Sequence, residues 1–197
     1  MSRWIFLRHG ESRANREGWL SGHIDVELTE VGREQAREAG RALADIPFVR
    51  AWCSDLQRAR ETAELALAGR AVSLTASEAL RERFLGDWGH RGIAEMRAAG
   101  GMEVLIRWDG RPDGGESQAD LAARLLPWFV ENAPAPGAPD EGGPFLIAAH
   151  GGVIRVLLGL IDGMDVHEIG KHKVANAEPI ERVVSAARWA EIAARWG

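Results

Sequence analysis

Cysteine is almost missing from this chain. Cys53 is the only one, which excludes an internal disulfide and a cysteine zinc cluster. Its place in the apolar run Phe48 to Cys53 makes it a small core residue. No apolar run approaches the ~18 residues needed to span a membrane. The first residues lack the basic region and long apolar stretch of a secretory leader, and their apolar run leads straight into Arg8 and His9. A cytoplasmic protein with no membrane partner is therefore expected. Net positive charge is lacking too. A formal charge of −5 argues against a general nucleic-acid binder, which would show a basic face, but leaves room for a local positive pocket. Lysine is confined to Lys171 and Lys173; the remaining basic residues are arginine, which we read as compositional bias. No two histidines have HExxH spacing and the carboxylates are not clustered, so neither a metal nor a cofactor is expected. Internal repeats and low-complexity tracts are absent.

What is present suits a soluble α/β domain. The 197 residues, 46% apolar and 27% charged, are enough for one domain with a real core. Trp4 to Leu7 reads as a buried strand, and Arg13 to Glu27, punctuated by Gly18 and Gly22, as a loop. A helix follows with Thr29 as N-cap and Val31, Ala36, Ala39 and Leu43 on its apolar face, ending before Pro47. Phe48 to Cys53 is a second strand. Ser54 and Asp55 cap a helix from Leu56 to about Leu67, and Val72 to Leu74 is a short third strand. The stretch from about 80 to 115 is glycine-rich, with one helix near Ile93 to Ala99, and reads as a lid-like segment. Ser117 opens a helix to Asn132 that carries Pro127. A proline- and glycine-rich connector leads to a strand at Phe145 to Ala149, a helix from Val153 to Leu160 and a last strand at Ile180 to Val184. The alanine-rich tail, 186–196, is a further helix candidate. Strands alternating with helices predict a three-layer α/β/α sandwich with a mostly parallel central sheet, one domain over 1–197.

Two of these strands end alike, in His9-Gly10 and His150-Gly151. Strand ends hold side chains rigidly, and ligands in open α/β sheets bind beyond the carboxyl ends of the strands. If the two strands are neighbours, both histidines reach one edge, with Arg8 beside them. Arginine beside histidine there suits an anion together with a nucleophile or base.

The run Leu7 to Ser12 (LRHGES) resembles the signature of the histidine phosphatase superfamily, in its phosphoglycerate mutase-like branch. The likeness is collinear over most of the chain. Asn15 and Gly22 keep the family spacing from His9. Asp25 to Gly32 is similar to the following segment and Cys53 to Thr62 to the second phosphate-binding motif. Leu80 to Gly86 resembles the acidic segment, Gly114 to Ser117 the loop before the late helix, and Ala149 to Gly152 the second histidine motif.

The resemblance implies a phosphoglycerate mutase-like fold and assigns roles. His9 would be the nucleophile, forming a phosphohistidine; a neutral imidazole is competent once its other nitrogen is hydrogen-bonded. Arg8 and Arg58 would grip phosphate oxygens with guanidinium forks. Asn15, His150 and the backbone N–H of Gly151 would add hydrogen bonds. Glu82 would protonate the departing alcohol and then activate water, with Phe84 and Trp88 shielding it from solvent. Ser21, Gly22 and His23 are candidate substrate contacts.

The departures matter as much. The lid-like segment is short, its arginines Arg91, Arg97, Arg107 and Arg111 are scattered, and GDWGHRG lacks an acidic residue after the tryptophan. The expectation is a metal-independent phosphatase for small phosphomonoesters, its partner a small phosphorylated metabolite. Phosphoglycerate mutase-type transfer, a phosphoprotein phosphatase and a non-catalytic phospho-ligand binder are the alternatives. Oligomeric state is left open, a homodimer included.

Overall fold

A computed structural model describes residues 1–197. In chain order the elements are β1 (Ser2–Arg8), α1 (Arg13–Glu17), α2 (Glu30–Ala42), β2 (Arg50–Ser54), α3 (Gln57–Ala66), β3 (Leu74–Ser77), α4 (Ile93–Ala98), α5 (Gly101–Ile106) and α6 (Gln118–Asn132). Then follow β4 (Phe145–Ala149), α7 (Gly151–Ile161), α8 (Val166–Ile169), β5 (Pro179–Val184) and α9 (Ala186–Trp196). The five strands form one sheet in the order β3-β2-β4-β1-β5. All pairings are parallel except that of β5 with β1.

Side-chain alternation along β1 assigns the two faces. Trp4 and Phe6 join Phe145 and Ile147 in the core shared with α6, α7 and α9, whereas Ile5 and Leu7 pack with Leu146 against Ala39 of α2, Leu43 at its C-cap and Ala66 of α3. The result is the expected three-layer sandwich. On the first face an aromatic nest holds α9 down: Phe129 stacks on Trp189 at 4.4 Å between centroids, and Trp4 meets both edge-on. That packing, with Ser185 accepting from Arg188 N as N-cap, makes the alanine-rich tail a helix.

Several local expectations shift. The loop after the first motif contains α1, because Ser12 and Asn15 form a reciprocal capping box and Gly18 ends the turn left-handed. Val31 is exposed rather than on the packed face of α2. Asp55 does not cap α3; its carboxylate takes a two-pronged bond from Arg81. The third strand begins only at Leu74 and runs to Ser77. The segment at 80–115 holds two short helices, α4 and α5, instead of one. No helix is long and apolar enough to cross a membrane.

Candidate active site

Strands β1 and β4 are adjacent and parallel, with Arg8 opposite Ala149. The next residue on each is a histidine, and His9 N donates to Ala149 O at 2.9 Å. The two rings thus meet at the carboxyl edge of the sheet, centroids 5.3 Å apart. Close packing sets this edge. A Cβ on Gly10 would run into the carbonyl of Gly32 in α2, so glycine serves here for close approach rather than for a left-handed turn. Gly10 N donates to Thr62 Oγ1, whose hydroxyl donates in turn to Arg58 O, tying the strand end to α3.

A cavity of about 300 Å³ opens over the two histidines. Of the residues singled out from sequence, Arg8, His9, Asn15, Ser21, Gly22, Arg58, Glu82 and Gly151 line it. His150 is not among the lining residues: it is fully buried against the His9 ring, with neither ring nitrogen hydrogen-bonded. His23 is not brought to this cavity. Its Nε2–H donates to the Glu82 carbonyl at 2.6 Å and its ring packs on Phe84.

Hydrogen bonding sets the chemistry of His9. Its Nδ1 lies 2.7 Å from Gly10 O, a carbonyl that can only accept, so Nδ1 carries the proton and Nε2 keeps its lone pair. Burial, then the charges of Arg58 and Arg8, push its pKa well below the ordinary 6.5; burial and Arg58 do the same to His150. Both rings are therefore neutral at pH 7. A neutral imidazole beside two guanidinium groups keeps the Nε2 lone pair in cationic surroundings.

Both arginines are anchored on one side. Arg8 donates Nη1–H to Val174 O at 2.6 Å, and Arg58 donates to Ile24 O and Gly22 O at 3.0 and 2.8 Å. In each the Nε is buried and has no acceptor. Burial lowers the Arg58 guanidinium to about 10, still cationic at neutral pH. Asn15 accepts from Ser12 N and from Asn176 Nδ2 through its Oδ1, which orients its own amide N–H groups away from those partners.

Glu82 is placed by backbone rather than by aromatic rings. Oε2 accepts from Gly152 N at 3.0 Å and Oε1 from Arg83 N at 2.8 Å. The expected shield is corrected: Phe84 is 41% exposed and turned onto His23. Gly152 leaves room for the carboxylate, since a Cβ there would collide with Glu82 Oε1. Arg124, which the sequence did not single out, holds the segment from outside. It donates to the carbonyls of Ala79, Arg81 and Glu82 and pairs with Glu116, whose Oε2 also accepts from Phe84 N. Other residues missed are Asn176, which donates to His9 O at 2.8 Å, and Arg83 and Arg155, which line the cavity. Arg155 had a readable signal, four residues after Gly151 and so on the same helix face. Asn176, in a loop without pattern, had none. No three His, Cys, Asp or Glu side chains converge to hold a metal ion. Cys53 is buried away from the cavity, its thiol pushed up to about 12 by burial.

The buried histidines give stability a pH dependence of definite sign. Between their low native pKa values and the ordinary 6.5, the unfolded chain binds protons that the native state refuses. Stability is thus complete above about pH 6.5 and falls below it, by up to about 1.4 kcal/mol per pH unit for each histidine. Denaturation midpoints in chloride buffers from about pH 7.5 to 5 should decline, less steeply in His150→Gln, and orthophosphate should restore part of the loss. A slope unchanged in His150→Gln would contradict the assignment.

Comparison with known proteins agrees with this geometry. The profile described as histidine phosphatase superfamily (branch 1) matches residues 4–193. The 2,3-bisphosphoglycerate-dependent phosphoglycerate mutase 2 of Gloeobacter violaceus is 35% identical, over 91% of this chain and 84% of that protein. The glucosyl-3-phosphoglycerate phosphatase of Mycolicibacterium vanbaalenii is 37% identical, over 83% of this chain and 76% of its own. Among solved structures, a mycobacterial glucosyl-3-phosphoglycerate phosphatase in complex with VO3 superposes with a TM-score of 0.82 at 30% identity, covering 92% of this chain and 90% of that one. The α-ribazole phosphatase of Shigella flexneri gives 0.76 at 29% identity, covering 91% and 89%.

Proposed function

The chain belongs to the histidine phosphatase superfamily, branch 1, and we propose that within it this protein hydrolyses small phosphate monoesters without a metal, through a phosphoryl group carried on His9. One observation carries this reading. Arg8 and Arg58, whose Nε atoms are buried without partners, line one cavity with His9, and His150, its ring centroid 5.3 Å from that of His9, has neither ring nitrogen paired. Unpaired buried polar groups cost free energy unless a ligand pairs with them, and a tetrahedral oxyanion over His9 would accept from both guanidinium groups and from the one N–H of a neutral His150.

Hydrolysis then follows in two balanced steps. His9 Nε2 attacks phosphorus as the ester oxygen departs and takes a proton from Glu82. Water next attacks the phosphohistidine, giving its proton to Glu82; the P–N bond breaks, orthophosphate leaves and neutral His9 returns. Arg8 and Arg58 stabilise charge on the equatorial oxygens throughout.

Hydrolysis is favoured over isomerisation by what lies above the cavity. A mutase must keep water from its phosphohistidine while the substrate turns round. Here α4 and α5 are six residues each. The lid arginines face outwards: Arg91 pairs with Glu95, Arg107 with Asp109 and Arg111 with Asp120, and neither these nor Arg97 line the cavity.

Because the Arg8 and Arg58 guanidinium groups supply the positive charge beside His9 in this proposal, hydrolysis of p-nitrophenyl phosphate is expected to survive EDTA unchanged. A loss on chelation that added metal reverses would overturn the metal-free reading. Turnover across a panel of phosphorylated metabolites, with kinetics for the hits, tests the substrate class.

A further inference from the structure

His23 does not line the His9 cavity, yet the short strip of chain around it touches both halves of the site. The carbonyls of Gly22 and Ile24 accept from the Arg58 guanidinium at 2.8 and 3.0 Å. The Asp25 carboxylate accepts from Gln57 N at 2.8 Å. Residues 22–25 are thereby pinned to the first turn of α3, the helix that carries Arg58. From between the two carbonyls the His23 side chain reaches Glu82, donating Nε2–H to its carbonyl at 2.6 Å.

Glu82 needs such support. It lies in irregular chain between two short 3-10 turns, Glu78–Leu80 and Gly86–Trp88. Neither its N–H nor its carbonyl enters a backbone–backbone hydrogen bond. Side chains hold the carbonyl instead. Arg124 divides its donors among Ala79 O, Arg81 O, Glu82 O and the Glu116 carboxylate, and reaches Glu82 O at 3.2 Å. His23 gives its one bonded N–H to that oxygen alone. A carbonyl can only accept, so Nε2 carries the proton, and protonation of Nδ1 would leave the bond in place. Packing closes the joint. Gly22 is left-handed at φ 49°, and a Cβ there would lie 3.3 Å from Arg83 O and 3.1 Å from the Leu85 side chain.

We propose that His23 is a positioning residue for Glu82: it ties the Glu82 peptide to the strip that anchors Arg58, and so fixes the carboxylate relative to a phosphate held by Arg58. The proposal rests on the reading of Glu82 as the general acid. With the peptide released, the carboxylate loses its fixed approach to Gly152 N, and a misplacement of about 1 Å can cost about 10²-fold in rate.

Two variants separate the hydrogen bond from the ring. His23→Phe keeps an aromatic ring against Phe84 and loses the donor, whereas His23→Gln loses the ring and keeps an N–H at similar reach. His23→Phe is expected to lower kcat/KM for alkyl phosphate esters by about 10–10²-fold, and for p-nitrophenyl phosphate by less. His23→Gln should recover most of that loss. Added to Glu82→Gln, His23→Phe should cost no more than about twofold, because the two changes remove one function. Should His23→Phe fail to fold, His23→Asn, whose amide is too short to reach the carbonyl, takes its place. The Gly152 amide, bonded to Glu82 Oε2, reports the carboxylate without turnover. Its proton NMR shift should move in His23→Phe in the same direction as in Glu82→Gln, and stay near the parent value in His23→Gln. An unmoved Gly152 signal in His23→Phe, equal losses on both ester classes, or the same loss in the Glu82→Gln background would overturn the positioning role. The acid is judged separately, by the alkyl and aryl losses of Glu82→Gln alone. If that reading fails while Gly152 still moves in His23→Phe, the tether stands and only the proton transfer falls.

Discussion

His9→Ala is expected to bring phosphate ester hydrolysis down to background, a loss on the order of 10⁴-fold or more, with a native circular dichroism spectrum. The size follows from the geometry. The Gly10 carbonyl fixes the proton on Nδ1 and leaves the lone pair on Nε2, the proposed attacking atom, and the substitution removes that atom while Arg8 and Arg58 stay. Binding without turnover is the expected phenotype. Quenching the parent enzyme with labelled substrate should trap an acid-labile, base-stable phosphoryl group, absent from the variant. Label that persists in His9→Ala would identify another nucleophile, and His150, the ring packed beside His9, would be the first to examine.

Glu82→Gln is expected to slow alkyl phosphate esters by roughly 10²–10⁴-fold, the usual worth of a general acid–base group. Activated aryl esters should suffer less, because a good leaving group departs without a proton. The amide keeps the shape but can accept only one of the two backbone bonds now made by Gly152 N and Arg83 N. Part of the loss is therefore positional and common to both ester classes. The acid's own contribution is the difference between the classes, measured as the ratio of kcat/KM values for alkyl and aryl esters. Equal losses on both would leave Glu82 a structural carboxylate that caps α7.

Legibility followed the range of the interactions involved. The apolar runs Trp4 to Leu7 and Phe145 to Ala149 were readable because a short buried strand is a local pattern, and the two His-Gly ends pointed to one sheet edge once these strands were neighbours. The end of the chain was readable only as alanine-rich; α9 depends on Trp189 reaching Trp4 and Phe129 across the core. Capping misled where a side chain found a distant partner, as Asp55 did in Arg81. In the site, motif residues were legible and their supports were not. Val174, which anchors Arg8, and Asn176, which bonds His9, lie far along the chain in a loop that becomes adjacent only because β5 folds back antiparallel to β1. Arg83 and Arg155 were hidden by the abundance of arginine; only their place in the cavity lining sets them apart.

In the proposed mechanism the cradle around His9 serves hydrolysis and isomerisation alike, so their separation rests on how well the short α4–α5 segment keeps water away. The direct measurement is a paired assay on one enzyme sample with 3-phosphoglycerate, in the presence of 2,3-bisphosphoglycerate, counting inorganic phosphate against 2-phosphoglycerate. Phosphate release is expected to exceed isomerisation at least tenfold, a gap that needs only about 1.4 kcal/mol of barrier difference. Isomerisation outrunning phosphate release would contradict the hydrolase and make the protein a mutase.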